Sequence, residues 1–592
     1  MVAKIDVNKV ELVWPGKYND DGTLKEVPRV HLPFQVIETV NESRATREAA
    51  KKPETMSLFD VYEGKEGDTF EEGWKNKLIW GDNLLVMGSL LEKFAGKVDL
   101  IYIDPPFATG ADFSFKAMIG DDGIVATKDP SVIEEKAYRD TWGRALDSYL
   151  CMLHPRLAIL NELLSDTGSI YVHLDDRVAF HARLLLDELF GADRFRNSIS
   201  WHYSGWNKPN KYAFMRRHDI LLYYSGGDSP VFNPVSTPYQ SREEYLATRK
   251  QRLHTDEEGR EYTLDTRDGG ARQVPVYVDE ALARGKPVDD VWNIDKLNNS
   301  SKERVGYDTQ KPESLLGRIV MASTNPTQLV MDVFAGSGTA CVTAEKLGRR
   351  WIGCDLSRWA IHVARKRLLE IEDCKPFEVL NLGKYERKYW AGMTFGDKKS
   401  DDQLTIYECL AFILKLYGAQ PLSGTQHLHG KKGKAMVHVG AVDAPVTIDE
   451  VNACIEECLA VKQDEIHVLG WEWEMGMSPY IVQEAKHRGI KLLLLSIPRE
   501  VMEQQAVDKG DIRFFELAHV EVNIQRLGER KIQIELTDFA FPYADLIPED
   551  VREKIVSGRT MSTTGLLIGT SGATPSCRAG SPIARARIVN YR

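Results

Sequence analysis

The sequence predicts an α/β fold built on an open, mostly parallel sheet, and three observations carry this prediction. Short apolar runs recur along the chain and end in acids or glycines, as at Leu100–Asp104, Leu329–Phe334 and Trp351–Asp355. Segments with helical spacing of apolar residues separate these runs. The runs are continuous rather than alternating, which is typical of strands buried on both faces of a parallel sheet. We therefore expect ligands at the carboxyl ends of these strands.

The length and composition of the chain predict a soluble protein with several domains. Its 592 residues are too many for one hydrophobic core, and 43% hydrophobic with 28% charged residues is ordinary for a globular protein. A run of about 18 apolar residues, the length that a membrane helix needs, is absent from the sequence. The N-terminus also lacks an apolar signal core. We expect a cytoplasmic protein without a membrane partner.

Charge and cysteines define no partner by themselves. The net charge of −11 argues mildly against nucleic acid, although only the contacting face of a nucleic-acid-binding protein has to be basic. Between Arg194 and Arg217 basic residues interleave with aromatic ones, which suits backbone contacts and base stacking, or equally a solvated hairpin. Cys454 and Cys458 lie one helical turn apart without a second pair, so buried thiols and no metal are predicted.

Taken in order, the chain divides into six predicted segments. They are an N-terminal irregular arm (1–75), a first α/β half (76–225), an inserted polar module (226–306), a second α/β half (307–395), a C-terminal α/β domain (404–548) and an irregular tail (557–592). The inserted module is rich in charge and poor in periodicity, as surface insertions are, and is the expected site of substrate discrimination. Two strands near 514–525 and 530–541 are expected to complete the small sheet of the C-terminal domain.

The tail carries a second interpretation. From Ser557 the composition turns to Ser, Thr, Gly, Ala and Arg with little pattern, which is typical of an irregular segment. In another reading frame, permitted codons encode a more aromatic sequence that resembles a folded protein. We therefore expect a frameshift near Gly558, which sequencing of the gene would test.

The stretch Leu100–Phe107 is predicted to be a buried strand that ends abruptly at a ligand-facing rim. Pro105 and Pro106 cannot continue a strand ladder, and they stiffen the backbone after Asp104. A carboxylate, a backbone carbonyl and the aromatic ring of Phe107 thus converge on one small volume. This set suits a planar heterocycle with an exocyclic amine, although a plain turn would use the same residues.

A glycine turn follows the strand that ends near Asp332. In Phe334–Thr339 the glycines allow close approach of a ligand to the backbone, and the helix after them offers free N–H groups at its start. The third glycine of the dinucleotide fingerprint is missing, so a pyrophosphate site is disfavoured. Asp355 ends the next strand and is placed to accept both hydroxyls of a ribose, while Asp82 is expected on the same edge. Tight turns without ligands use glycine as well.

Together these motifs resemble the amino-methylating DNA methyltransferases, specifically those whose catalytic half precedes the cofactor half. Asp104–Phe107 matches their catalytic motif, Phe334–Gly338 their S-adenosylmethionine loop, and Thr309–Pro312 the element that contacts the methionine end of the cofactor. Gly81–Asn83 matches the turn before the catalytic strand. Phe107 departs from the commoner tyrosine, and either ring can stack. The layout is most similar to the modification subunit of type III restriction systems.

The resemblance implies a Rossmann-like α/β sheet of an S-adenosylmethionine-dependent methyltransferase in circularly permuted motif order, with an inserted recognition module and a smaller C-terminal α/β domain. It implies methyl transfer to adenine N6 of a base flipped out of duplex DNA. The catalytic residues implied are Asp104, Pro105, Pro106 and Phe107. The cofactor-binding residues implied are Asp82, Gln310, Lys311, Pro312, Asp332, Phe334, Gly336, Gly338, Thr339 and Asp355.

Several alternatives stay open. A leading Asp104 rather than a serine favours adenine N6 over cytosine N4 as the acceptor. A non-catalytic DNA-recognition subunit with this fold, or a methyltransferase for RNA or small molecules, fits the motifs less well. The partners expected are double-stranded DNA, a restriction subunit with nuclease or helicase activity, and a second copy of the chain.

Overall fold

The computed structural model of the chain describes residues 11–43, 45–46, 69–106, 115–119, 124–128, 146–395, 402–540 and 589–590, with short gaps inside the longer ranges. The first part of the chain forms β1 (Gln35–Val40), β2 (Asn76–Trp80), α1 (Asn83–Phe94), β3 (Val98–Ile103), β4 (Phe115–Ile119), β5 (Ile124–Lys128), α2 (Leu146–Leu163), β6 (Leu164–Leu174), α3 (Ala179–Phe190), β7 (Phe195–His202) and β8 (His218–Ser225). β7 and β8 pair antiparallel.

The next part of the chain forms a small unit of short strands and helices. Its elements are β9 (Ser236–Thr237), α4 (Arg242–Arg249), β10 (His254–Thr255), β11 (Glu261–Arg267), β12 (Arg272–Tyr277), α5 (Val278–Arg284), β13 (Lys286–Pro287) and β14 (Val291–Asn293). Tyr245, Val276 and Val278 form a core of its own, so the segment packs as a compact element. β14 then pairs parallel to β7 and returns the chain to the main sheet.

The remaining elements belong to two α/β units. The first group is α6 (Glu313–Ser323), β15 (Leu329–Asp332), α7 (Thr339–Lys346), β16 (Arg350–Asp355), α8 (Arg358–Leu369), β17 (Phe377–Asn381) and α9 (Gly383–Phe395). The second group is α10 (Asp402–Tyr417), β18 (Gln420–Pro421), β19 (Gly430–Lys432), β20 (Ala435–Val439), α11 (Ile448–Ala460), β21 (Glu465–Gly470), α12 (Pro479–His487), β22 (Lys491–Ser496), β23 (Phe515–Glu516), β24 (His519–Gly528), β25 (Lys531–Ala540) and β26 (Val589–Asn590).

The main sheet has ten strands in the order β1-β17-β2-β16-β15-β3-β6-β8-β7-β14. The neighbours from β17 to β6 pair in parallel, so their carboxyl ends lie on one edge. The predicted open, mostly parallel sheet is therefore confirmed. β2 lies between β16 and β17, so a strand from the predicted first half is inserted among strands of the second.

Helices cover both faces of the central strands. Helices α1, α2 and α3 pack on one face, where Ile101 and Ile103 of β3 point into the same core. Helices α6, α7 and α8 pack on the other face with Leu100 and Tyr102. Successive side chains of a strand point to opposite faces, so a strand that is apolar throughout contributes side chains to the cores on both faces of the sheet. Within the described residues, none of the helices is both long and apolar enough to cross a membrane.

The N-terminal segment, expected to be irregular, contributes a strand to the main sheet. β1 pairs antiparallel with β17 at the edge, and Glu38 forms an ion pair with Arg365 of α8. Val36 and Ile37 stay exposed and only Val40 of this strand is buried. An edge strand buries so few side chains that its sequence carries little periodic signal, and the sequence pattern therefore misses it.

The two long strands near the end of the C-terminal unit also differ from expectation. The sheet of this unit has the order β18-β19-β20-β21-β22-β23, whereas β24 and β25 form a separate sheet with β26. The expectation that both strands complete the small sheet is therefore wrong, and only β23 joins it. β24 and β25 are neighbours in sequence and pair along their length, which satisfies their backbone groups locally. The expected tail at 557–592 lies outside the described residues except for β26.

Candidate active site

The carboxyl ends of β3, β15 and β16 border one open cleft. Most of the site residues named from the sequence line this cleft. They are Asp104, Pro105, Pro106, Lys311, Asp332, Phe334, Gly336, Thr339 and Asp355. Two stretches more than 200 residues apart along the chain thus share one volume.

The sheet register brings the two stretches together. β15 pairs parallel with β3, with Val330 opposite Leu100 and Met331 opposite Ile101. Parallel neighbours in register end at the same level, so Asp104 after β3 and Asp332 at the end of β15 meet at one rim. The Thr309–Pro312 element reaches the same rim, because the Thr339 hydroxyl donates to the Lys311 carbonyl at 3.3 Å.

Asp104 forms a tight ion pair with the ammonium group of Lys311. Its other oxygen lies 3.8 Å from Nδ1 of His173, which is fully buried behind the rim. Pro105 and Pro106, which follow Asp104 in the chain, also line the cleft. The rim acid is therefore held in a charged environment whose backbone is stiffened by two prolines.

Asp332 forms the floor of the cleft. Its side chain is almost completely buried and accepts the N–H of Phe334 at 2.9 Å. Burial raises the pKa of this carboxyl well above its usual range, and the charges of Asp104 and Asp355 raise it further. A positive charge brought into the cleft would favour the ionised form of Asp332.

The glycine turn needs its two glycines for different reasons. Both have positive φ, +50° at Gly336 and +74° at Gly338, which favours glycine. At Gly336 an added Cβ would meet only the ring of Tyr307, at 3.4 Å, beside the cleft. At Gly338 it would lie 2.5 Å from Cβ of Ala364, so this glycine serves the packing of α7 against α8.

Asp355 organises the turn from the neighbouring strand. One of its oxygens accepts the N–H of Gly336 and the other accepts the N–H of Ser357, each at 2.8 Å. Behind the turn the buried Arg367 donates to the Ser337 carbonyl at 3.0 Å and to the Thr339 hydroxyl at 2.9 Å. These bonds fix the start of α7, where the first backbone N–H groups have no partner within the helix.

The cleft-lining set leaves out four residues expected at the cofactor. Asp82 caps α1 by accepting the N–H of Leu84 at 2.9 Å. Gln310 bonds the Glu303 carbonyl at 2.7 Å, and Pro312 is the N-cap of α6. Gly338 is the glycine that packs α7 against α8. Asp82 also forms an ion pair with Arg156 of α2 at 3.4 Å. Phe107 lies outside the described residues.

The cleft also contains residues that sequence reasoning missed. Tyr102 and Tyr307 line it, and His173 with Asp219 lies behind Asp104. Tyr102 and Tyr307 resemble ordinary core residues in the sequence, because a ring at a strand end or in a loop has no spacing signal. His173 did carry one, since it is a lone ionisable residue within the apolar part of β6.

Fold and site together define a protein of the doubly wound α/β class in which an acid and a glycine turn line one cleft. The family model described as DNA methylase matches residues 98–366, which include both motifs. The type II methyltransferase M.EcaI of Enterobacter cloacae is 31% identical over 337 residues, covering 49% of this chain and 69% of M.EcaI. The chain therefore belongs to the DNA methylase family, and it is a DNA methyltransferase.

Other relatives share the same region. The StyLTI Mod subunit of a type III restriction-modification enzyme from Salmonella typhimurium is 25% identical over 367 residues, covering 51% of this chain and 54% of the relative. The chain thus spans about half the length of that relative. Among solved structures, the M1.HpyAVI–SAM complex overlaps 49% of this chain and 98% of its own, with 16% identity and a TM-score of 0.30.

Proposed function

We propose that this chain transfers a methyl group from S-adenosylmethionine to N6 of adenine at a specific sequence in duplex DNA. The observation that carries the proposal is the Asp104 carboxylate at the rim of the cleft that also contains the glycine turn. Residues 98–366, the part that matches the DNA methylase model, include both elements.

The described lining of the cleft fits this cofactor by charge and by shape. It includes three carboxylates, from Asp104, Asp332 and Asp355, and one cationic side chain, from Lys311. Such a lining favours a ligand that carries positive charge, and S-adenosylmethionine has a sulfonium and an ammonium group. Asp355 would hold the ribose, and the turn at Gly336 would let the ligand approach the backbone. When bound, the cofactor supplies an electrophilic methyl group.

The residues of the chain would act on the acceptor amine. The lone pair of an adenine amine is delocalised into the ring, which makes it a poor nucleophile. Asp104 and the Pro105 carbonyl would accept hydrogen bonds from the two N–H groups of this amine. These bonds would favour a tetrahedral nitrogen and stabilise the positive charge that develops on it. The base would be flipped out of the duplex to reach them, with Phe107 stacking on it.

Lys311 and the amine that would receive the methyl group compete for the carboxylate of Asp104. Its ammonium group contacts Asp104 directly, so an incoming amine takes over an oxygen that Lys311 now occupies. Lys311 also donates to the Thr309 carbonyl at 3.4 Å, within its own loop. The ion pair would thus hold the Asp104 carboxylate in place until a base arrives.

The choice of adenine rests on the carboxylate of Asp104 in place of a serine hydroxyl. The test is to incubate the purified chain with DNA and S-adenosylmethionine labelled in the methyl group, digest the DNA, and separate the nucleosides. We expect label in N6-methyladenine. Label in N4-methylcytosine would contradict the base assignment, and no label in any nucleoside would favour a non-catalytic recognition subunit. Sequencing of modified positions in DNA from cells expressing the chain would give the recognition sequence.

We further propose that the chain is a modification subunit that works with a restriction subunit. Type III Mod subunits from Salmonella typhimurium and Haemophilus influenzae are among its relatives, which supports this role. The compact unit between β9 and β14 would read the DNA sequence. The α/β unit from α10 onward lies outside the region that matches the DNA methylase model, and it would serve contacts to the partner.

A further inference from the structure

A buried chain of ionisable groups lies behind Asp104, and the proposed mechanism does not use it. His173 of β6 is fully buried, close to Tyr102 of β3. Its Nδ1 lies 2.8 Å from the Tyr102 hydroxyl and 3.8 Å from an oxygen of Asp104. Its Nε2 lies 3.4 Å from Oδ2 of Asp219 on β8. One imidazole ring therefore touches groups on two neighbouring strands.

Asp219 is the anchor of this chain. It also accepts the Tyr203 hydroxyl at 3.0 Å, and the ammonium group of Lys296 lies 3.6 Å away. Burial alone would raise the pKa of Asp219, but the hydrogen bond and charge of His173 and the charge of Lys296 lower it to about 2. Asp219 is consequently an anion at any working pH and can only accept hydrogen bonds.

The partners on either side determine how the histidine ring is oriented. Because Asp219 only accepts, Nε2 of His173 carries a proton. Burial raises the pKa of Tyr102 well above its usual range, and the charge of Asp104 adds to this, so the Tyr102 hydroxyl keeps its proton. The ring edge that bears Nδ1 is thereby directed at Tyr102 and Asp104. The ring is held on its flank by Trp201, whose centroid lies 5.3 Å away in an edge-on arrangement.

The chain of groups continues to the point where the compact unit rejoins the sheet. Lys296 lies just beyond β14 and also packs over the Tyr203 ring, 3.6 Å from its centroid. Trp201 donates its indole N–H to the Ile294 carbonyl at 2.7 Å, and Asp295 accepts the N–H of Ser204 at 2.9 Å. The segment that returns from the proposed recognition unit is thus bonded to the residues that surround His173 and Asp219.

A purely structural role explains these groups less well. β6 and β8 are already joined by a ladder of antiparallel backbone pairs, in which His173 lies opposite Leu221. Burying a histidine and a carboxylate costs desolvation energy, and apolar residues of similar volume are often as stable or more so. The flanking residues Val172 and Leu174 are apolar and point to the other face of the strand.

We propose that His173 is a positioning residue for Asp104. Asp219 holds one ring nitrogen, and the other lies against Tyr102 and 3.8 Å from the Asp104 carboxylate, so the ring limits the positions that this carboxylate can take toward the acceptor amine. Lys296 connects this arrangement to the returning segment of the compact unit. The inference rests on the proposed function, because it assumes that Asp104 receives the amine.

The test compares two amides at position 173. In His173→Asn the side-chain amide replaces the Nδ1 edge, and in His173→Gln it reaches toward the Nε2 position. We expect both variants to lower kcat for DNA methylation by about 10- to 100-fold, because small errors in orientation are costly. The KM for DNA and the dissociation constant of S-adenosylmethionine should stay within about two-fold of wild type, since the rest of the cleft is unchanged. Asn should retain more activity than Gln.

Tyr171→Phe is the matched control on the same strand and the same face. It removes a buried hydroxyl that bonds Ser323 at 2.8 Å, at a site that does not contact Asp104. Wild-type kcat in this variant is expected. Wild-type kcat in both His173 variants, an equal loss in Tyr171→Phe, or a loss matched by weaker cofactor binding would overturn the positioning role. Absence of methylation by the wild-type chain would instead overturn the proposed function.

Discussion

The two α/β units of this chain differ in the residues that follow their parallel strands. In the main sheet β3, β15 and β16 run into acids and a glycine turn around an open cleft. In the smaller sheet the parallel strands β20, β21 and β22 end at Val439, Gly470 and Ser496. A Cβ added at Gly440 would overlap Val446, and one at Gly470 would lie 2.8 Å from the Trp473 ring.

The glycines of the two units therefore do different work. In the smaller sheet, Gly440 and Gly470 leave room for Val446 and Trp473 to pack against the strand ends. Glu472, next to Trp473 in the chain, forms an ion pair with Arg387 of α9 at 2.9 Å. In the main sheet Gly336 leaves space next to the cleft. Both sheets carry helices on two faces, so the layering alone does not make a site. The residues directly after each strand decide whether its rim can bind a ligand.

The largest expected effect comes from the rim acid of the main sheet. In Asp104→Asn the shape is kept, but the charge and one acceptor for the amine are lost. We expect kcat for methyl transfer to fall about 1000-fold, the scale found when a group that stabilises transition-state charge is removed. Binding of S-adenosylmethionine, measured by calorimetry, should persist because the glycine turn is intact. Turnover close to wild type would remove Asp104 from the mechanism.

A matched pair of glycine substitutions tests the comparison directly. Gly336→Ala forces a side chain into left-handed backbone beside the cleft, so we expect S-adenosylmethionine to bind about ten-fold more weakly. Gly470→Ala places its methyl against Trp473, so we expect a loss of about 1–3 kcal/mol in stability with unchanged cofactor affinity. Calorimetry and thermal melting separate the two. If Gly470→Ala also weakened cofactor binding, the rims would not be independent.

The smallest effect concerns the buried acid at the floor of the cleft. Burial raises the pKa of Asp332, so the folded protein favours its protonated form, whereas a cationic ligand favours the ionised form. Affinity for S-adenosylmethionine should therefore fall as the pH drops through this pKa, by at most about ten-fold per pH unit for one linked proton.

Asp332→Asn is the control for this pH dependence. The asparagine cannot titrate, so the slope of affinity against pH should become flatter. The pKa of Asp332 is higher in the folded protein than in the unfolded protein, so the wild type loses stability as the pH rises from the unfolded pKa through the folded pKa. Asparagine does not titrate and avoids this loss. The variant should therefore melt at a higher temperature than the wild type at neutral pH. A pH slope equal to that of wild type would assign the linkage to another group.

Much of the site was accessible from local patterns. Asp104 with its two prolines, Gly336 and Asp355 each lie at the end of an apolar run or just after it, and strand ends of an open sheet share an edge. Other features had no local signal. The contact of Lys311 with Asp104 depends on a loop far along the chain, and Gln310 beside it bonds its own loop instead of the cleft. Neighbouring residues in one motif thus acquire different roles.

The sequence by itself determined the fold class, the two motifs and their meeting at one rim, because apolar runs and turn residues act over a few positions. Only the tertiary structure decided the neighbours of each strand, such as β2 between β16 and β17, and the burial of His173 between Asp104 and Asp219. Strand order and the environment of a buried charge depend on contacts between distant segments. Sequence spacing does not encode those contacts.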